Sequence, residues 1–160
     1  MEGSTTVKRT IALLTGTLSL AGALATGLAA PAVAAPAPRP ASASFADETI
    51  VDVTSANYQQ VMEMSNTKPV VLDFTATWCH WCQVQKPYLQ KYHDADNGAW
   101  VWARVDVDQN RDLTSKYGVR GIPALVSVRK GAEYGSRSVG FDPSSPEALR
   151  AWLTNVVRTY

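Results

Sequence analysis

The chain has 160 residues, which is enough for one domain, or for one domain with an additional segment. Its formal net charge is only +1, from 15 Lys and Arg against 14 Asp and Glu, and this balance argues against a nucleic-acid-binding protein. Hydrophobic residues make up 46% of the chain, which excludes a wholly disordered protein, and two cysteines are too few for a small disulfide-stabilised scaffold.

The N-terminal segment has the three parts of a secretory signal peptide. Lys8 and Arg9 precede an uncharged stretch, 10–38, whose first part is rich in Leu and Ala. Ala32-Val33-Ala34 fits the small-residue cleavage pattern, which predicts a signal peptide over residues 1–34, with 41–43 as a second cleavage candidate. The alternative is an uncleaved membrane anchor, because a stretch of this length is able to span a bilayer. In either case we expect the rest of the protein to be exported.

Residues 35–46 are rich in Ala, Pro and Ser and have little apolar surface to bury, so we predict a semi-extended spacer. One domain is predicted over residues 47–160. From residue 44 onward, 12 Lys and Arg face 13 Asp and Glu, so the positive excess of the whole chain comes from the N-terminal segment.

Five stretches of the domain have the composition of β-strands. The first is short, over 50–53, and the last, over 134–139, is polar enough for an edge strand in a hairpin with its turn at Lys130-Gly131. The three others are nearly continuous apolar runs over 70–74, 100–107 and 124–128, which are typical of strands covered on both faces.

Four stretches between the strands have helical spacing. Thr54 is the predicted cap of the first, and the second and third cover 82–94 and 109–117. The last begins at Ser144, with Glu147 three residues later as a capping box. The apolar residues of the first helix that are predicted to face the core are Tyr58, Val61, Met62 and Met64. Those of the last helix are Leu149, Trp152, Leu153 and Val156. Alternating strands and helices predict an α/β fold with parallel strand pairs and helices on both faces of the sheet.

The only cysteines form the motif Cys79-His80-Trp81-Cys82, directly after a predicted strand and at the start of a predicted helix. Two intervening residues allow the thiols to meet across one helical turn. The unpaired N–H groups and the dipole at the helix N-terminus favour a thiolate at Cys79. Cys79 is therefore the predicted nucleophile, and Cys82 the thiol that resolves a mixed disulfide.

Three other interpretations of the motif are weaker. A purely structural disulfide that closes so short a loop stabilises a protein little. A zinc site needs two more ligands, for which only His80 and His93 are available. Covalent haem attachment needs a histidine directly after the second cysteine, where this chain has Gln83. The motif therefore favours redox chemistry, without a metal or an organic cofactor.

With these segments the chain resembles the thioredoxin family. The similarity covers nearly all of residues 54–157 and lies chiefly in VVLDFTATWCHWCQVQKP, residues 70–87, and in residues 101–131. Trp78 before the cysteines and Gly121-Ile122-Pro123 at the expected distance make it specific. The resemblance implies the thioredoxin fold, a central mixed sheet of four to five strands flanked by about four helices.

The resemblance also implies roles for matching residues. Pro123 corresponds to a cis-proline that lies against the cysteine pair and helps to bind the backbone of a substrate. Asp73 corresponds to a buried acid beneath Cys82, where burial should raise its pKa and let it exchange a proton with that thiol. Arg104 stands where the family usually has a lysine that tunes this acid. Pro87 corresponds to a helix-kinking proline, and Gly140 to a glycine near the substrate surface.

The motif departs from the family pattern at His80-Trp81, where thioredoxins usually have Gly-Pro. Two interpretations of His80 are open: protonated, it favours the Cys79 thiolate and a more oxidising pair, or it points to solvent and has little effect. Trp81 is either an aromatic contact for partner proteins or a shield over the disulfide. The dipeptide does not fix the reduction potential.

The predicted function is that of an exported thiol–disulfide oxidoreductase, a monomer that exchanges disulfides with protein substrates. Asp73, Ile122 and the context of Trp78 resemble reducing members, so we expect the reductive direction. A membrane protein is the candidate electron donor or acceptor. An oxidase or isomerase is the alternative, and nothing in the chain argues for a specialised reductase of apocytochromes. The other hypothesis is that the protein is not an enzyme but a binding module with the same fold, and the intact cysteines argue against it. Nucleic acid is not an expected partner, nor is tight membrane association if the signal is cleaved.

Overall fold

The computed structural model describes residues 48–160. The predictions for residues 1–34 and 35–46 lie outside the described residues. Ten elements follow one another in the described range: β1 Ile50–Asp52, α1 Tyr58–Met64, β2 Val70–Thr75, α2 His80–Ala95, β3 Val101–Asp106, α3 Arg111–Lys116, β4 Ala124–Arg129, β5 Ala132–Glu133, β6 Ser138–Val139 and α4 Pro146–Arg158.

The strands form one mixed sheet in the order β1-β3-β2-β4-β5, with β6 also paired to β4. The pairs β1–β3 and β2–β3 are parallel, and the strands that follow β2 across the sheet are antiparallel. This is the predicted combination of parallel pairs with an antiparallel hairpin. The hairpin turns at Lys130 and Gly131, whose positive φ angles of 51° and 75° are those of a two-residue type I′ turn.

Helices cover both faces of the sheet, because successive residues of a strand point to opposite sides. One apolar cluster joins the sheet to α1 and α3 and includes Val61, Phe74, Val105, Leu113 and Val126. The other joins the opposite face to α2 and α4 and includes Val71, Leu89, Trp102, Leu125 and Leu153. Asp73 lies two residues after Val71 and therefore belongs to the α2–α4 face of the sheet.

The predicted edge strand over 134–139 is wrong in detail, since the outer chain instead forms two short strands, β5 before this stretch and β6 at its end. β5 pairs Glu133 with Val128, and β6 pairs Ser138 with Leu125. Residues 134–137 lie between Glu133 and Ser138, whereas only residues 126 and 127 lie between their partners on β4. The outer chain therefore has two extra residues, which form a bulge. Gly135, with a φ of 72°, lies in that bulge.

Two helix caps also differ from the predictions. Asn57, not Thr54, directly precedes α1, and the Thr54 carbonyl accepts hydrogen bonds from the backbone N–H groups of Asn57 and Tyr58. The predicted capping box of α4 is wrong, because Asp142 captures both the backbone N–H and the hydroxyl of Ser144. The helix consequently begins at Pro146. In the described part of the chain, no helix has the length and apolar character that crossing a membrane requires.

Candidate active site

The two cysteines form a disulfide at the junction between β2 and α2. Their Cα atoms are 5.3 Å apart, and both residues are buried. Cys79 occupies the N-cap of α2, with an extended backbone, and its Sγ accepts a hydrogen bond from the Cys82 N–H at 3.2 Å. Since the first N–H groups of a helix have no partner within the helix, Cys79 Sγ lies where negative charge is stabilised.

Three side chains flank the disulfide on the outside. Trp78 is 67% exposed, and its Nε1–H donates to Asp108 Oδ2 at 2.7 Å, which fixes the indole beside the cysteines. Trp81 is 49% exposed and meets the His80 ring edge-on, with ring centroids 5.1 Å apart. This exposed aromatic surface next to a buried disulfide is suited to contact with another protein.

A second segment lies against the disulfide from the start of β4. Ile122 packs on the apolar cluster that Cys79 and Cys82 form with Ala76. The Ile122–Pro123 peptide bond is cis, and Pro123 is buried. Its carbonyl accepts a hydrogen bond from the Gly140 N–H at 2.8 Å. Gly140 has a φ of 77°, which favours glycine at this position.

Asp73 is the one buried acid of the α2–α4 face near the cysteines. Burial raises its pKa from 3.8 to about 6, although a hydrogen bond from Trp102 and the charges of Arg104 and Lys86 act in the opposite direction. The hydrogen bond runs from Trp102 Nε1 to Asp73 Oδ2 over 2.9 Å. A carboxyl group with a pKa near 6 exchanges protons readily at neutral pH.

Asp73 and Cys82 line the same cavity, whose volume is about 430 Å³. Its walls also include Lys86 of α2, Trp102 and Arg104 of β3, and Asp52 of β1. The cavity is open to solvent and its walls are part polar and part apolar, so water can reach the carboxyl group without opening the fold. The structure therefore brings a proton acceptor and the second thiol to one solvent-accessible space.

Arg104 lies in register with Asp73 across the β2–β3 pair, but its hydrogen bonds go elsewhere. Its Nε and Nη2 donate to the two carboxylate oxygens of Asp52 at 2.7 and 2.9 Å. Arg104 therefore acts on the pKa of Asp73 through its charge alone. The tuning role implied for this position stays a prediction, as do the substrate roles of Ile122, Pro123 and Gly140.

Trp102 and Lys86 also belong to the site, although the sequence does not mark them. Trp102 has the type of an apolar strand residue, yet a buried indole N–H needs an acceptor, and Trp102 lies two residues before Arg104 on the same face. His93, the weak zinc-ligand candidate, is instead buried against the Trp100 ring, with Nε2 3.1 Å from the Thr49 carbonyl. Within residues 48–160, no three His, Cys, Asp or Glu side chains cluster as a metal site.

Comparison with known proteins agrees with this geometry. The family model for thioredoxin matches residues 49–155. The thioredoxin of Alicyclobacillus acidocaldarius subsp. acidocaldarius is 34% identical over 106 residues, which cover 66% of this chain and 96% of the relative. The thioredoxin of Pseudomonas aeruginosa is 36% identical over 84 residues, covering 52% of this chain and 77% of the relative.

Solved structures give the same result. Thioredoxin from Malassezia sympodialis superposes with a TM-score of 0.59 at 28% identity, covering 68% of this chain and 94% of that one. The germline-specific thioredoxin Deadhead of Drosophila melanogaster gives 0.57 at 27% identity, covering 64% and 94%. The matched fold contains the Cys79–Cys82 pair, which performs thiol–disulfide exchange in this family. The chain therefore belongs to the thioredoxin family and is a thiol–disulfide oxidoreductase.

Proposed function

We propose that the protein is exported and that it reduces disulfide bonds in protein substrates. The observation that carries the exchange chemistry is the Cys79–Cys82 pair at the N-terminus of α2, with Asp73 and Cys82 open to one cavity. The exposed aromatic surface of Trp78 and Trp81 is suited to contact with other proteins. The proposed substrates are therefore proteins with accessible thiols or disulfides.

In the first step the reduced protein attacks the substrate. The Cys79 thiolate, stabilised at the helix N-terminus, attacks one sulfur of the substrate disulfide. A bond forms between Cys79 Sγ and that sulfur while the substrate S–S bond breaks. The other substrate sulfur leaves as a thiolate and takes a proton from solvent.

In the second step Cys82 resolves the mixed disulfide. Its thiol gives a proton to the Asp73 carboxylate, and the resulting thiolate attacks Cys79 Sγ. The Cys79–Cys82 disulfide forms, the bond to the substrate breaks, and the second substrate sulfur leaves as a thiolate that is protonated. Two electrons have then passed from the protein dithiol to the substrate, and the proton on Asp73 returns to solvent through the cavity.

Export and the reductive direction rest on different observations. Export is supported by the signal-peptide pattern of residues 1–34, and the reductive direction by Asp73 and by Trp78 beside the cysteines. Because an extracytoplasmic compartment is oxidising, reduction there needs a membrane protein that supplies electrons to the disulfide. One of the two interpretations of His80 beside Cys79 favours a more oxidising pair, so a disulfide oxidase or isomerase is the second candidate.

Replacing each cysteine by serine separates their roles. We expect Cys79→Ser to reduce protein-disulfide exchange to the uncatalysed background, because it removes the nucleophile. Cys82→Ser should instead accumulate mixed disulfides with substrates, visible by non-reducing electrophoresis. Gln90→Ala, on the exposed face of the same helix, is the control and should keep normal activity. Normal exchange by Cys79→Ser would contradict the enzymatic role.

The reduction potential distinguishes the two directions. We expect equilibration with a series of glutathione buffers to give a value close to that of thioredoxin, about −270 mV. A value close to that of the strongest bacterial oxidant, about −120 mV, would refute the reductive proposal in favour of an oxidase.

Export is testable on the full-length chain expressed in a bacterium with a secretory pathway. We expect to find the protein in the extracytoplasmic fraction, and its intact mass should be that of a chain that begins at Ala35. A chain in which Ala32 and Ala34 are both replaced by Gln should stay uncleaved. A full-length chain that remains in the cytoplasm would contradict the proposal.

The buried charge of Asp73 should lower the stability of the protein at neutral pH. The folded chain binds this proton more tightly than the unfolded one, so its free energy of unfolding falls as the pH rises from about 4 to about 6. With about 1.4 kcal/mol for each pKa unit, the loss above pH 6 is about 3 kcal/mol. Asp73→Asn should therefore stabilise the oxidised protein by up to that amount at pH 8.

Denaturant unfolding of both proteins at pH 4 and pH 8 measures this difference. The gain from Asp73→Asn should shrink toward zero as the pH falls below about 4, where the acid is protonated in both states. Asp108→Asn, at an exposed acid near the same site, is the control and should give no comparable gain. An equal effect of Asp73→Asn at both pH values would argue against the buried charge as its cause.

A further inference from the structure

Asp73 has a single hydrogen-bond donor among the side chains of residues 48–160. This donor is the Trp102 indole, whose Nε1 lies 2.9 Å from Asp73 Oδ2. Trp102 is completely buried and Asp73 is 5% exposed. A hydrogen bond to a charged acceptor that is shielded from water is among the stronger ones in proteins.

The indole is held in place by the sheet and by the side chains around it. Trp102 pairs with Val71 in the parallel β2–β3 ladder, so it lies on the same face as Asp73, one alternating position away. The His93 ring of α2 packs on it with centroids 6.4 Å apart, and the Arg104 guanidinium lies 5.8 Å from its ring centre. The donor therefore has little freedom to turn away from the carboxylate.

The other charged groups around Asp73 do not hydrogen-bond to it. Lys86 of α2 and Arg104 of β3 lower its pKa by charge, and Arg104 is itself paired with Asp52 of β1. Asp106, at the end of β3, lines the same cavity and accepts hydrogen bonds from the backbone N–H groups of the turn that follows. Trp102 is thus the group that fixes the orientation of the carboxylate.

We propose that Trp102 is a positioning residue for proton transfer, whose indole N–H holds the Asp73 carboxylate at the cavity wall as the acceptor for the Cys82 proton. An indole N–H only donates, so it takes no part in the transfer itself. By binding Oδ2 it leaves Oδ1 to receive the proton. This inference rests on the proposed function, because it assigns a role within the resolving step.

Trp102→Phe removes the donor and keeps an aromatic ring in the core. Because the hydrogen bond favours the charged form, its loss should raise the pKa of Asp73 by about one to two units. Carboxyl ¹³C NMR measures this pKa directly. The pH dependence of disulfide reduction should shift toward alkaline pH by the same amount, since proton transfer to Asp73 needs the ionised acid.

Trp100→Phe is a matched control. Trp100 is also completely buried, lies on the same face directly before β3, and donates its Nε1–H to a carboxylate, that of Asp96, at 2.9 Å. Both variants lose the same volume and one indole–carboxylate hydrogen bond. We expect both to lose stability, but only Trp102→Phe to shift the pKa of Asp73 and the pH profile. Equal pH profiles in the two variants would overturn the proposal.

A measurement on the unsubstituted protein covers the case in which Trp102→Phe does not fold. The ¹H–¹⁵N resonance of the Trp102 indole should move with pH at the pKa of Asp73, and stay constant in Asp73→Asn. An indole resonance that does not respond to the ionisation of Asp73 would refute the inference. The proposed function fails separately, through the cysteine variants, since their activity does not depend on Trp102.

Discussion

The burial of one carboxyl group governs the arrangement of the redox site. Asp73 lies between apolar residues in the middle of β2, and an ionised carboxylate there is unfavourable unless its surroundings compensate it. The compensation is partial: one indole hydrogen bond and two nearby cations leave the pKa well above its ordinary value. The group therefore changes its protonation in the range where thiols exchange, which a fully compensated or fully exposed aspartate would not do.

The strand core of the fold could be predicted from composition, because apolar runs of β-branched residues leave few alternatives. The runs over 70–74 and 124–128 correspond to β2 and β4 almost to the residue. The helix caps and the outer edge of the sheet could not be predicted in this way, because they depend on competition between nearby polar groups. Ser144 is a favourable N-cap residue by type, yet its hydroxyl donates to Asp142 instead.

Part of the site could also be predicted from residue types. Cys79, Cys82 and Asp73 are unusual residues for their positions, which marks them as candidates, and the family resemblance added Pro123. Trp102 is an ordinary residue for a buried strand, and its contact with Asp73 depends on the β2–β3 register, which the sequence does not state. Likewise, the family resemblance relates Arg104 to Asp73. Its ion-pair partner is instead Asp52, because β1 lies parallel to β3 with Asp52 in register with Arg104.

The bulge between β5 and β6 has a consequence for association of the protein with other chains. An uninterrupted outer strand presents a row of unpaired N–H and C=O groups that invites a foreign strand to extend the sheet. Here each outer strand has two residues, and Glu133 of β5 forms an ion pair with Arg137 in the segment before β6. This edge is consequently a poor template for aggregation, a useful property in a protein whose work brings it into contact with the exposed segments of other polypeptides.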